Sequence, residues 1–299
     1  MKKSIIVTVL AVSMLTACGT KTTEVPGQNV ITTESVTTNG SNAQNETEEQ
    51  AVTKAIVEVE EQEIYNQDGV KVTVKGFDQD ADGPYLNVLV ENDTDKNITV
   101  QTRKSSLNGY MVDFTFSCEV APGKKANDKI LMDLTSIDIS GIGKIYDIEF
   151  CLSISDEYFI PIAESDMIHL IRNLSEPYTQ TYDDSGTIVC DQKNIKVVWK
   201  DFASDDHYSA LLFYIENNSD EEITVQVRDT SVDGFMVDPT MSIDVLPGKK
   251  AVDTMTIYNS DLKSNGITDI KSLETSFHIS SSDFTRTVVD TEPITIELN

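Results

Sequence analysis

Most of this chain is one unit written twice, with a period of 125 residues. Val90-Glu91-Asn92 returns as Ile215-Glu216-Asn217, and Ile98-Thr99-Val100-Gln101 as Ile223-Thr224-Val225-Gln226. Asn108-Gly109-Tyr110-Met111-Val112-Asp113 meets Asp233-Gly234-Phe235-Met236-Val237-Asp238, and Pro122-Gly123-Lys124-Lys125-Ala126 meets Pro247-Gly248-Lys249-Lys250-Ala251. No gap is needed between residues 64 and 160, and roughly a third of the aligned positions are identical. A period of this length exceeds the 20–50 residues of solenoid repeats and has the size of a domain. The chain therefore divides into two domains, residues 56–174 and 178–299, joined near Arg172-Asn173-Leu174-Ser175-Glu176-Pro177. A join this short, stiffened by Pro177, restricts how the two are oriented.

Within each unit apolar residues alternate with period two, the pattern of a half-buried strand. Val70, Val72 and Val74 alternate with Lys71, Thr73 and Lys75, and Ile195, Val197 and Trp199 repeat the stripe. Leu86, Val88 and Val90 match Leu211, Phe213 and Ile215. Phe114, Phe116, Cys118 and Val120 form another stripe, as do Ile148, Phe150, Leu152 and Ile154. Asn108-Gly109 and Asp233-Gly234 have the composition of a type I′ hairpin turn, and Pro122-Gly123 and Pro247-Gly248 that of a type II turn. Short helical pieces fit near Leu134 to Ile139 and Asp261 to Ser264. Seven or eight short strands with a turn every 8–12 residues predict an all-β chain of two tandem immunoglobulin-like β-sandwich domains, with a small barrel as the other candidate.

Ahead of the repeats lies a different kind of sequence. Lys2 and Lys3 precede an apolar run, Ser4 to Met14, of signal-peptide length and too short to span a bilayer. Leu15-Thr16-Ala17-Cys18-Gly19 follows. Small residues before a cysteine, directly behind an apolar core, resemble the lipobox of bacterial lipoproteins. That resemblance implies a signal peptide over residues 1–17, cleavage before Cys18, lipidation of Cys18, and a protein held by acyl chains on the extracytoplasmic face of the cell membrane. Residues 18–55, rich in Thr, Ser, Asn, Gln and Glu, cannot bury enough surface to offset ordering entropy and are expected to form a disordered tether. The repeats themselves resemble small immunoglobulin-like domains of unknown function found in secreted and lipid-anchored proteins of Gram-positive bacteria; the likeness implies fold and source but no activity.

The formal net charge is -27, and two units more negative once Lys2 and Lys3 are removed. Such a chain repels nucleic acid, anionic lipid and anionic polymers and allows cationic ligands, metal ions or basic protein surfaces as partners, while solubility is the simpler and preferred reading of the charge. Few side chains suggest chemistry. Asp78, Asp80 and Asp82, with Gly83 behind them, resemble the opening of a calcium loop. The twelfth position, however, is Leu89 where a bidentate glutamate belongs, so a plain acidic hairpin tip is favoured. Cys118, Cys151 and Cys190 have no counterparts across the repeat and are expected to be free thiols; no spacing suits zinc. His169, His207 and His278 align with Ile294, Asp82 and Ser153, and none recurs. The lysine pairs 124–125 and 249–250 are expected to guard strand ends against edge pairing. Met111 and Met236, beside Tyr110 and Phe235, are expected to pack in the core next to a tight turn. No nucleophile motif or phosphate loop is present. The expectation is a non-enzyme without cofactor that binds a protein or extracellular polymer, or alternatively a spacer or accessory subunit of an envelope complex.

Overall fold

The computed structural model describes residues 59–298, so the signal segment, Cys18 and the tether lie outside the described residues. In the first repeat the elements are β1 (Gln62–Gln67), β2 (Val70–Asp80), β3 (Gly83–Asn92), β4 (Ile98–Leu107), β5 (Tyr110–Met111), β6 (Phe114–Thr115), β7 (Ser117–Val120), β8 (Lys124–Met132), the short helix α1 (Leu134–Ile139), β9 (Asp147–Asp156), β10 (Pro161–Glu164) and β11 (Ile168–Ile171). The second has β12 (Thr187–Gln192), β13 (Ile195–Ser204), β14 (Tyr208–Asn217), β15 (Ile223–Val232), β16 (Phe235–Met236), β17 (Ser242–Val245), β18 (Lys250–Tyr258), α2 (Asn259–Ser264), β19 (Ser272–Ser281), β20 (Thr287–Asp290) and β21 (Ile294–Glu297). Among the described residues no helix is long and apolar enough to cross a membrane.

Each repeat is an all-β sandwich. In the first, the sheet β1-β2-β3-β8-β6 faces the set built on β4 and β9, flanked by β5, β7, β10 and β11. In the second, β12-β13-β14-β18 faces β15 and β19 with β16, β17, β20 and β21. Both sheets keep open edges, which decides for sandwich over barrel. The alternating stripes point inward as their period requires: Leu86, Val90, Leu211, Phe213 and Ile215 are fully buried, and so are Ile148, Phe150 and Leu152.

The register repeats in its irregularities too. The β1–β2 ladder slips between Glu63 and Tyr65, and the β12–β13 ladder between Ile188 and Cys190. The β2–β3 slip at Val74/Gly76 recurs in β13–β14 at Trp199/Asp201. Trp199, at the second bulge, is half-buried and packs against the core of the second repeat, with its Nε1 donating to Asp201 O at 3.1 Å. The period breaks once, in the turn of the β9–β10 hairpin: β20 and β21 start 126 residues after β10 and β11. His169, opposite Glu149, therefore corresponds to Thr295, opposite Glu274, and not to Ile294.

One buried polar device occurs in both repeats. Asn92 is fully buried; its Nδ2 donates to Lys96 O (2.7 Å) and Val120 O (2.8 Å), and its Oδ1 accepts from Thr94 N (2.9 Å) and Thr94 Oγ1 (2.7 Å). Asn217 does the same with Glu221 O, Val245 O and Ser219. The 92–95 and 217–220 loops, polar in sequence, are thus pinned from inside the sandwich.

Candidate functional site

The two hairpin tips begin alike and end differently. Asn108-Gly109 has φ of 51° and 84°, and Asp233-Gly234 has 48° and 84°, the left-handed pair that a type I′ turn needs. Asn108 Oδ1 accepts from Tyr146 N (3.0 Å) and Asp147 N (3.1 Å); Asp233 Oδ1 accepts from Lys271 N (3.2 Å) and Ser272 N (2.9 Å). Tyr110 is fully buried and Met111 packs on the core of the second repeat. Phe235 and Met236 are 48% and 66% exposed, which corrects the expectation that both pairs are core residues.

The difference arises because the first tip holds the second repeat. Gly109 O accepts from Lys250 N at 2.9 Å, so β5 and β18 form a parallel bridge joining a sheet of one repeat to a sheet of the other. Tyr182 OH donates to Asn108 O at 2.8 Å, and Asn108 Nδ2 donates to the buried Gln180 at 3.1 Å. A Cβ on Gly109 would sit 2.8 Å from the Tyr182 hydroxyl, so glycine is required there both for its φ and for this approach. Glu149 receives Lys249 and also Ser106 Oγ (2.9 Å), and Lys104 pairs with Glu222 at 3.1 Å. Val198, Tyr214 and Val252, on the outer face of the second repeat, are buried in the core cluster of the first. Lys249 and Lys250 are therefore junction residues and not edge guards, whereas Lys125 pairs locally with Glu91. The join is longer than its sequence suggests: residues 178–182 lie along the first repeat, and strand structure resumes only at Thr187.

Beside this seam lies a cleft of about 430 Å³ with walls from both repeats. Arg103 and Lys104 face five carboxylates there: Asp113, Glu164, Glu222, Asp244 and Asp253. Asp253 keeps contact with solvent, yet desolvation by the cleft walls pushes its carboxyl up to about 6, with Asp113 and Asp133 acting in the same direction. Asp113 is raised in the same way, by burial and then by Asp133 and Asp244. Because the folded state holds the Asp253 proton more tightly than the unfolded chain, this group stabilises the fold at low pH. That contribution is lost as pH rises from the ordinary value of 3.8 through about 6. Asp253→Asn is expected to raise the melting temperature at pH 7.5 and to leave it little changed near pH 4. An unchanged gap between variant and wild type at the two pH values would refute the assignment.

The acidic loop is a hairpin tip in which Asp80 pairs with Gly83 across β2 and β3. Asp80 Oδ1 accepts from Asp82 N at 3.0 Å, and Lys129 Nζ donates to Asp80 Oδ2 at 2.8 Å; these bonds, the lysine's first, hold the Asp80 carboxyl below its usual value. Metal-capable groups converge elsewhere: the donor atoms of Asp147, Glu149 and His169 lie within 4.8 Å of one another. Cys118, Cys151 and Cys190 are free and buried, and burial pushes each thiol up (Cys118 to about 11), the opposite of activation.

Among the described residues, exposed large apolar side chains gather at the β9–β10 tip, where Tyr158, Phe159, Ile160 and Ile162 are 75%, 66%, 59% and 50% exposed. The second repeat has Ser282-Asp283-Phe284-Thr285-Arg286 in this turn. Sequence reasoning passed over this tip because Ile160 and Ile162 look like strand alternation. The signal was its asymmetry across the repeat.

A scan of protein-family models finds no match, and no curated protein matches the chain. Among solved structures, the chain is similar to the YadV chaperone at 12% identity, with a TM-score of 0.23 over 72% of this chain and 92% of that one. It is also similar to a protein of unknown function from Porphyromonas gingivalis W83, at 12% identity and a TM-score of 0.21 over 74% and 95%.

Proposed function

We propose that this chain is a lipid-anchored extracytoplasmic binding module that contacts a protein or extracellular polymer through the β9–β10 tip of its first repeat. The exposed Tyr158-Phe159-Ile160 tip carries this reading. A chain of net charge -27 has ample polar surface, and the second sandwich forms the same turn from polar residues around Phe284, so the fold does not require this apolar group. Contiguous exposed apolar surface of this kind marks contact sites. Cys18 and the tether behind it would hold the tip off the membrane. The spacer reading draws support from a different observation: the hydrogen-bonded, apolar seam gives the two repeats a fixed separation.

The test uses a photo-crosslinking side chain placed at Phe159 or, as control, at Asp95, in cells that express the full chain. A product specific to position 159, lost when Tyr158 and Ile160 become serine, is expected. Cys18→Ala should leave the chain unprocessed or release it from the membrane fraction. Identical products at both positions would favour the spacer, and a Cys18→Ala chain that is still processed to the mature form and retained in the membrane would remove the anchor.

A further inference from the structure

We propose that Asp147, Glu149 and His169 form a binding site for a divalent first-row transition metal, zinc in particular, next to the repeat seam. The site follows from strand register. Asp147 and Glu149 are two residues apart on β9 and so share a face. The antiparallel β11 sets His169 directly opposite Glu149. His169 Nε2 lies 2.8 Å from Asp147 Oδ1, and all three donors fall within 4.8 Å of one another. A metal would take the place of the proton that now joins His169 to Asp147.

The carboxylate at the centre is already oriented. Ser106 and Lys249 both engage Glu149 through Oε2, so the group can be held by one oxygen while the other binds. The donors are also dispensable for the sandwich. The second repeat builds the same ladder with Ser272, Glu274 and Thr295 in the matching positions, and so keeps only the central glutamate. One imidazole with two carboxylates suits zinc and its neighbours. Calcium, which takes six to eight oxygens, is poorly served by it. Three protein ligands leave coordination positions for water. His169 and Asp147 remain partly exposed, which gives an entry path. Lys249, held on Oε2, leaves the other oxygen to the metal but offsets part of the negative charge of the site.

The test is zinc titration of the full chain, purified in detergent and stripped of metal, by calorimetry and by histidine NMR. One zinc per chain is expected, shifting the ring signals of His169 while those of His207 and His278 stay in place. His169→Ala and Asp147→Asn should each weaken binding by about tenfold or more. Both side chains are at the surface, so the melting curve without metal should hardly change. Lys249→Met should strengthen binding, and magnesium and calcium at the same concentrations should give no heat. Zinc affinity unchanged in His169→Ala, or no zinc binding by the wild-type chain at about 100 µM, would overturn the proposal.

Discussion

Asn217→Ala is expected to destabilise the second repeat by about 3 kcal/mol, and Asn92→Ala the first by a similar amount. Each side chain makes four hydrogen bonds in a site with no solvent access. Truncation leaves Val245 O, or Val120 O in the first repeat, buried without its donor, at about 1–3 kcal/mol for such a group. It also releases the loop that Ser219 or Thr94 closes. Asn217→Asp separates this mechanism from simple loss of packing. The aspartate has the same shape, but at neutral pH it aims a charged oxygen at two carbonyl oxygens. It should be no better than alanine at pH 7 and should recover part of the loss as the solution is acidified. Urea unfolding of the three proteins at pH 7 and at about pH 4.5 measures this. An Asn217→Asp protein as stable as wild type at pH 7 would mean that the Nδ2 contacts contribute nothing.

The parts of this fold that were legible from sequence are those where local chemistry admits few solutions. Asn108-Gly109 and Asp233-Gly234 had to be left-handed turns, and Pro122-Gly123 and Pro247-Gly248 place a glycine at φ of 64° and 72°. Between such fixed points, period-two stripes of valine, isoleucine and phenylalanine have only one way to face a core. Asn92 was harder, because a buried loop asparagine and a solvated one are the same letter. Its recurrence at 217, each followed two positions later by a hydroxyl residue, was the available signal. The counterpart of His169 is not legible in sequence, because a single inserted residue in the second β9–β10-type turn leaves no mark in composition. The seam escaped notice for a further reason. Repeat symmetry suggests that equivalent residues do equivalent work, whereas an interface between consecutive copies must use different faces of each. Lys249 meets a partner because a repeat precedes it.

That asymmetry leads to the second large effect. The outer face of the second repeat carries Val198, Tyr214 and Val252, at 0%, 1% and 6% exposure. The equivalent positions in the first repeat, where no domain docks among the described residues, are Thr73, Leu89 and Asn127, none of them buried. The triple change Val198→Thr, Tyr214→Leu and Val252→Asn therefore gives the second sandwich a surface that the same fold already tolerates in the first. Removing buried apolar area and setting an asparagine against an apolar neighbour should cost the junction on the order of 4 kcal/mol. The remaining contacts include the Lys250–Gly109 bridge, the hydrogen bonds of Asn108 with Tyr182 and Gln180, the Lys249–Glu149 and Lys104–Glu222 pairs, and the packing of Met111 on the second core. The polar ones among them weaken once water enters the opened patch. The wild-type repeats are expected to melt as one coupled unit. The variant should melt in two transitions, show a broader distribution of sizes in small-angle scattering, and be cut by protease between Asn173 and Tyr178. The two cores, which share no altered residue on their inner faces, should each keep their own cooperative unfolding. A variant that still melts in one transition within about 1 °C of wild type would mean that the seam is held by its polar rim, and that the apolar face contributes little to fixing one repeat against the other.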